Sequence, residues 1–275
     1  MKILLTGRNG QVGSELEAIL HPAVATDHAM LDLADVDAIR SAVRAAEPEV
    51  IINAAAYTAV DKAESEPELA MRINGAAPGV LAEEARRANA LLVHYSTDYI
   101  FDGTKRSPYV ETDPTGPMSV YGRTKLEGET RIRASGCRHL ILRTAWVYGR
   151  GGNFVRAILR QAEKGAALRV VNDQVGAPTW ARDIAKVTSD LLNKSAEGTF
   201  NVSAGGSASW YEVALEILRL VGRKLEVTPV STAEYGAKAR RPAYSVLDNA
   251  RLRASGVKPI GDWRQRLAEH LKSAA

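Results

Sequence analysis

The sequence predicts an α/β protein built on a doubly wound parallel sheet, with a smaller, interleaved C-terminal domain. Three observations lead there. Short apolar runs alternate with helical patterns through the first half, as in βαβ units. A glycine-rich turn follows the first apolar run. The chain has 275 residues, more than one core usually holds.

The first strand is read at Lys2–Thr6, and Ser14–Leu20 opens a helix. Ala23–Asp27 is a weaker second strand. In Val36–Glu47 the apolar residues Val36, Ile39 and Val43 share a helical face, and Pro48 ends it. Val50–Ala55 is apolar throughout, as a strand covered on both faces must be. A long helix is expected over Glu66–Asn89, a strand at Leu91–Tyr95, a helix at Ser119–Ser135 and a strand at His139–Thr144. Residues 1–150 form the dinucleotide-binding domain on this reading, and 151–275 mainly the substrate domain. Beyond Gly149 the rhythm loosens. Helices are expected at Phe154–Lys164, Arg182–Leu192, Trp210–Val221 and Asp262–Lys272, with strands at Leu168–Val171 and Thr199–Val202. Segments around 168–203 are expected to return partly to the first domain, since no low-complexity linker separates the halves.

Composition narrows the class of function. Hydrophobic residues make up 45% and charged residues 25%, which argues for a globular chain. A net charge of +4 without a basic run offers no nucleic-acid or membrane footprint. No apolar stretch approaches the ~20 residues of a membrane helix, and the apolar run at the N-terminus is too short for a signal peptide. Cys137 is the one cysteine, so an intrachain disulfide is impossible and a reducing, cytoplasmic setting is expected.

Gly7-Arg-Asn-Gly10-Gln-Val-Gly13 has the G-x-x-G-x-x-G pattern between strand and helix. A dinucleotide pyrophosphate needs a tight turn (Gly7), close backbone approach (Gly10) and close helix–strand packing (Gly13) at a helix N-terminus. That is the Rossmann-type arrangement. Asp27, twenty residues after Gly7, is placed to accept from the adenosine ribose. Arg8, inside the turn, can instead meet a 2′-phosphate, so NADPH and NADH both stay open. Asp32 and Leu33 follow the second strand and can line the adenine.

Tyr121 is the one tyrosine with a lysine four residues later, Lys125. On a helix the two share a face. The ammonium is expected to lower the phenol from its ordinary ~10, so that Tyr121 donates a proton to a carbonyl oxygen as hydride reaches its carbon. A hydroxyl from Ser96 or Thr97, at the end of the fourth parallel strand, completes the set. The five histidines show no metal spacing, and no G-x-S-x-G elbow is present. Asn153-Phe154 and Trp210-Tyr211 read as capping and core features, the alternative being that some of them line the substrate pocket.

Longer motifs carry a resemblance. Thr6–Gly13, Asn53-Ala-Ala-Ala-Tyr-Thr-Ala-Val-Asp-Lys-Ala-Glu64, Ser96-Thr-Asp-Tyr99 and Tyr121-Gly-Arg-Thr-Lys125 resemble the extended short-chain dehydrogenase/reductases. Within them they are similar to the dTDP-4-dehydrorhamnose reductases. The similarity continues through Arg143–Tyr148, Asn172–Thr179 and Arg241–Asp248, covering essentially the whole chain. It implies NAD(P)H-dependent reduction of the C4 ketone of dTDP-4-dehydro-6-deoxy-L-mannose to dTDP-L-rhamnose. Carried over by position, Gly10, Gln11, Val12, Asp27, Asp32, Leu33, Ala56, Tyr57, Thr58 and Tyr95 contact the cofactor. Thr97, Tyr121 and Lys125 form the catalytic set, with Lys125 also holding the nicotinamide ribose. Thr97, Asp98, Tyr121 and Trp146 face the dTDP-sugar. Some members of the family dimerise around magnesium held by glutamates. Here Arg182 and Arg264 stand at two of those positions and only Glu15 remains, so no metal is expected, and a monomer or a dimer without a metal bridge is. The alternatives are an epimerase or dehydratase of the same superfamily, or a non-catalytic cofactor-binding subunit. A dehydratase wants an acidic pair after the strand-end hydroxyl, whereas Asp98 is followed by Tyr99.

Overall fold

A computed structural model describes residues 1–274. Its centre is a six-stranded parallel sheet formed by β1 (Ile3–Thr6), β2 (Val24–Thr26), β3 (Val50–Asn53), β4 (Leu91–Thr97), β5 (His139–Thr144) and β6 (Gly198–Asn201). The spatial order is β2-β1-β3-β4-β5-β6. The chain therefore reverses direction across the sheet between β1 and β3, and the crevice that such a reversal opens lies at their C-terminal ends. β1 and β3 are buried at every position because helices cover both faces.

The helices that position the site are α1 (Gln11–Leu20), α2 (Val36–Ala46), α3 (Ala77–Arg87), α4 (Val120–Ser135), α5 (Phe154–Lys164), α6 (Ala181–Asn193), α7 (Trp210–Leu220) and α8 (Trp263–Ala274). Their limits lie close to the expected ones. Three expectations need correction. The single helix over 66–89 is a composite: Pro67–Met71 and α3 are joined by a π turn at Arg72–Ala76. Pro78 has no N–H to give the Asn74 carbonyl, so the i→i−4 ladder cannot run through that position. β4 runs two residues further than expected, which makes Thr97 its last member. Gly198–Asn201 joins the sheet beside β5, but Leu168–Val171 pairs with Val227–Val230 outside it.

One apolar core serves both halves. It runs from Leu5, Val93 and Leu142 of the sheet through Ile184 of α6 to Ile217 of α7 and the fully buried Trp263 of α8. A second core on the opposite face joins Leu4, Ile51 and Leu92 to Ile39 of α2 and Leu81 of α3.

Candidate active site

A cleft of about 1090 Å³ runs across the C-terminal ends of β1, β3 and β4. At one end lies the glycine turn. Gly7 has φ +78°, and a Cβ there would fall 2.7 Å from the Ala55 nitrogen. A Cβ on Gly13 would fall 2.0 Å from the Gly7 carbonyl oxygen, so close packing of α1 on β1 depends on that glycine. Gly10 precedes α1 without a side-chain cap, and no acid lies in the helix's first turn. The first N–H groups of α1 are thus left for an anion.

The rim carries Asp27, Asp32 and Leu33. Asp27 accepts from the Ala29 and Met30 N–H groups and from Asn9 Nδ2 at 2.9 Å. Arg8 corrects the sequence reading: it is not on the cleft wall, and its guanidinium is held by Glu17 of α1 through Nε at 3.2 Å and through Nη2. Ala56 and Thr58 line the cleft, but Tyr57 does not. Its backbone is gripped from behind by Asn74, whose Oδ1 accepts the Tyr57 N–H and whose Nδ2 donates to the Tyr57 carbonyl, both at 2.9 Å. Tyr95 lines the cleft with its hydroxyl committed to Thr188 at 2.7 Å.

Thr97, Asp98, Tyr121 and Lys125 all line the cleft, as does Trp146. Ser119 caps α4 by accepting the Gly122 N–H at 3.1 Å, which fixes the turn that presents Tyr121. Thr97 and Ser96 point to opposite faces of β4. Both line the cleft, but the Ser96 side chain is on the side of Glu129. The Thr97 hydroxyl donates to Asp98 Oδ1 at 3.0 Å and accepts the Tyr99 N–H. Asp98 Oδ2 is buried without a hydrogen bond. Burial pushes the Asp98 carboxyl up to about 6, against the pull of the neighbouring Ser245 and Thr97 hydroxyls.

Tyr121 departs from expectation. Burial pushes its phenol up to about 12, the Asp98 charge acts in the same direction, and the Thr97 hydroxyl opposes them. Desolvation outweighs any help from Lys125. Burial also lowers Lys125, to about 8, against the charge of Glu129. Burial pushes Glu129 itself up, but the Arg143 guanidinium outweighs it, holding the carboxyl below its usual range through bonds of 3.0 and 2.8 Å.

The far end of the cleft is aromatic and was missed in part. Trp146 adopts φ +46°, a left-handed backbone that costs a residue with a Cβ about 1–3 kcal/mol. Its indole lies flat on Trp210, with centroids 3.5 Å apart and planes at 7°. Gly176 makes room, since a Cβ there would meet the Trp146 ring at 2.4 Å. Phe154 leans on Trp210 at 4.5 Å. Asn153 does cap α5, accepting the Arg156 N–H, and also donates to Gln11 Oε1 at 3.0 Å. Asn153, Phe154 and Trp210 all line the cleft, whereas Tyr211 does not. Only the aromatic spacing hinted at this, because residues 146 and 210 are brought together by the fold. Among the described residues no group of three or more His, Cys, Asp or Glu is placed to hold a metal.

The sequence matches the family described as the RmlD substrate binding domain over residues 1–275. The chain belongs to this family. A dTDP-4-dehydrorhamnose reductase from Burkholderia thailandensis is 43% identical over 96% of this chain and 96% of its own. A crystal structure of a dTDP-4-dehydrorhamnose reductase from Clostridium acetobutylicum superposes with a TM-score of 0.96 at 41% identity, covering 100% of this chain and 99% of that one. The Bacillus anthracis dTDP-4-dehydrorhamnose reductase, solved in complex with NADP, superposes with a TM-score of 0.95 at 35% identity, covering 99% of this chain and 100% of that one. The family match is not confined to the glycine turn and spans the segments that carry Trp146 and Trp210.

Proposed function

We infer that this chain is an NAD(P)H-dependent oxidoreductase that reduces the C4 ketone of dTDP-4-dehydro-6-deoxy-L-mannose to dTDP-L-rhamnose. One observation carries the reading: Thr97, Tyr121 and Lys125 share a cleft wall whose neighbouring end is a glycine turn fit for pyrophosphate. Full-length relatives bearing the reductase name supply the sugar. In this reading residues 1–150 hold the nicotinamide nucleotide and 151–275 mainly the sugar nucleotide, with Gly198–Asn201 kept in the sheet.

The glycine turn fits a dinucleotide because the Gly7 and Gly13 positions admit no Cβ and the first N–H groups of α1 are unclaimed. Gly10, Gln11 and Val12 would take the pyrophosphate, Asp27 and Asp32 the adenosine side, and Ala56, Thr58, Tyr95 and Lys125 the nicotinamide side. When bound, the reduced nicotinamide supplies hydride. Tyr121 supplies the proton. A phenol raised to about 12 is fully protonated at neutral pH, as a general acid must be. It releases its proton when negative charge builds on the ketone oxygen, and the Lys125 ammonium then stabilises the phenolate. Thr97 must turn its hydroxyl from Asp98 to the ketone oxygen, which positions the carbonyl against Tyr121. Trp146 and Trp210 offer flat apolar surface beside it, suited to a sugar face or a base.

No helix among the described residues is long and apolar enough to cross a membrane. The buried thiol of Cys137 suits the cytoplasm. Glu15 is engaged by Arg182, so we expect a monomer or a dimer without a metal bridge.

Incubation with the 4-keto sugar nucleotide and NADPH or NADH, with the product identified by NMR, tests the reading. Stoichiometric oxidation of cofactor with formation of the 4-hydroxy sugar is expected. Nicotinamide retained through purification, with sugar conversion but no net oxidation, would assign the chain to the epimerases or dehydratases instead.

A further inference from the structure

Thr6, Asn53 and His94 stand in register on β1, β3 and β4. Their side chains form a row across one face of the sheet, under α4. His94 is 1% exposed and Asn53 is 1% exposed, so neither finds water. The Thr6 hydroxyl donates to Asn53 Oδ1 at 2.8 Å, and Asn53 Nδ2 lies 3.1 Å from His94 Nδ1. His94 Nε2 lies 3.1 Å from Lys125 Nζ, which also donates to the Tyr95 carbonyl at 2.6 Å. At its other end the row reaches the cleft wall through Thr6, at the foot of the glycine turn. Nothing in the hydride step uses His94, yet it touches the lysine that step needs.

Donor and acceptor bookkeeping gives this row two complete states. An ammonium has no lone pair, so a charged Lys125 requires a bare Nε2 and places the ring hydrogen on Nδ1. That hydrogen needs an acceptor, which Asn53 provides by turning its amide oxygen toward it. With Asn53 Nδ2 toward Nδ1, the orientation in which Thr6 donates to Asn53 Oδ1, the ring hydrogen must sit on Nε2, and only an uncharged amine can accept it. Each state of the row therefore belongs to one charge state of the lysine.

We propose that His94, braced by Asn53 and Thr6, is a positioning residue for Lys125: its imidazole stays neutral, offers Nε2 to the ammonium, and exchanges tautomer when the lysine loses its proton. One proton leaves the site to solvent in that exchange, and the imidazole carries one ring hydrogen before and after. Burial and the Lys125 charge hold His94 well below its ordinary range, consistent with a neutral ring. Other charges near α4 are spoken for. Glu64 accepts the Val120 N–H, Arg86 donates to the Ser135 carbonyl, and Arg133 and Arg143 share Glu129. Of these, Glu129 acts on Lys125, raising it against the burial that lowers it. Asp98 lies in the turn after β4 and bears on Tyr121. The effect on turnover rests on the reductase reading; the hydrogen-bond row does not.

Two measurements test it. In the free protein, ¹⁵N NMR of the ring nitrogens follows His94, with its signals identified by their loss in His94→Gln. A neutral ring is expected throughout, changing from the Nδ1–H to the Nε2–H form around the Lys125 titration at about 8. An imidazolium that forms near pH ~6.5, or one tautomer on both sides of the lysine titration, overturns the proposal. In the pH profile of kcat/KM, His94→Phe keeps a flat ring and loses the acceptor. Its basic limb should move to lower pH by about one unit, the worth of one hydrogen bond to a charged group. His94→Gln, whose amide oxygen can accept, should restore the limb to within a few tenths of a unit. A limb that stays in place in His94→Phe while only the plateau drops marks a structural role and overturns the proposal. If the phenylalanine variant does not fold, the wild-type NMR titration decides alone. An inactive wild type would refute the reductase reading and leave the NMR result to decide this one.

Discussion

The Thr97 hydroxyl donates to the Asp98 carboxylate at 3.0 Å, so the strand-end hydroxyl of the site is turned toward a buried acid. Asp98 bears an energetic cost for that place. Its carboxyl is raised from 3.8 to about 6 by burial. Between those values the folded protein keeps a proton that the unfolded chain releases, so stability falls as pH rises through that window and levels off above it. Asp98→Asn removes the cost. It should stabilise the protein at pH 7 by about 1–3 kcal/mol and give almost nothing near pH 4. It should also weaken sugar-nucleotide affinity. Thermal melts at the two pH values check this, and equal gains at both would refute it.

Tyr121 and Lys125 should part company when each is removed. Tyr121→Phe loses the proton donor and should slow turnover about 10²–10⁴-fold with cofactor affinity nearly intact. Lys125→Met should lose turnover and also weaken cofactor binding if, as proposed, the ammonium serves the ribose as well as the phenolate. Steady-state rates and fluorescence titration with NADPH separate the two. A Tyr121→Phe variant that turns over at the parent rate removes Tyr121 from the chemistry.

Cofactor choice is expected to depend on Glu17. Its carboxylate holds Arg8, the one cation of the glycine turn, away from the cleft. Glu17→Ala should free the guanidinium for a 2′-phosphate and shift kcat/KM several-fold toward NADPH over NADH. Arg8→Ala should leave the preference nearly unchanged, because Glu17 already keeps Arg8 occupied. If Glu17→Ala changes both cofactors equally, Arg8 does not read the phosphate.

Arg182 donates to Glu15 Oε2 at 3.1 Å and stacks over Trp180 at 4.8 Å. Arg264 stacks over Trp263 at 4.4 Å. Guanidinium groups have no lone pair for a cation and repel it. Activity and sedimentation should therefore be the same in excess EDTA and after magnesium is added back. A dimer that falls apart on chelation and re-forms with magnesium would contradict this.

The elements of the sheet and the glycine turn were legible because their signals are local. A continuous apolar run, a Pro after a helix, and the Gly13 position whose Cβ would meet the Gly7 carbonyl are each read from near neighbours in the chain. Tyr121 and Lys125 were legible for the same reason, being one helical turn apart. The sequence determined the chemistry on offer: a dinucleotide turn, a phenol beside an ammonium, a strand-end hydroxyl. Only the tertiary structure decided how that chemistry is tuned. Burial raised Tyr121 where the neighbouring lysine alone would have lowered it, because desolvation depends on what the fold places around the phenol. Glu17 took Arg8 out of the cleft. Trp146 met Trp210 across 64 positions of chain, over a glycine that only the packed structure shows to be necessary. His94 became a partner of Lys125 because strand register and helix packing, neither fixed by short-range sequence, carried it under α4.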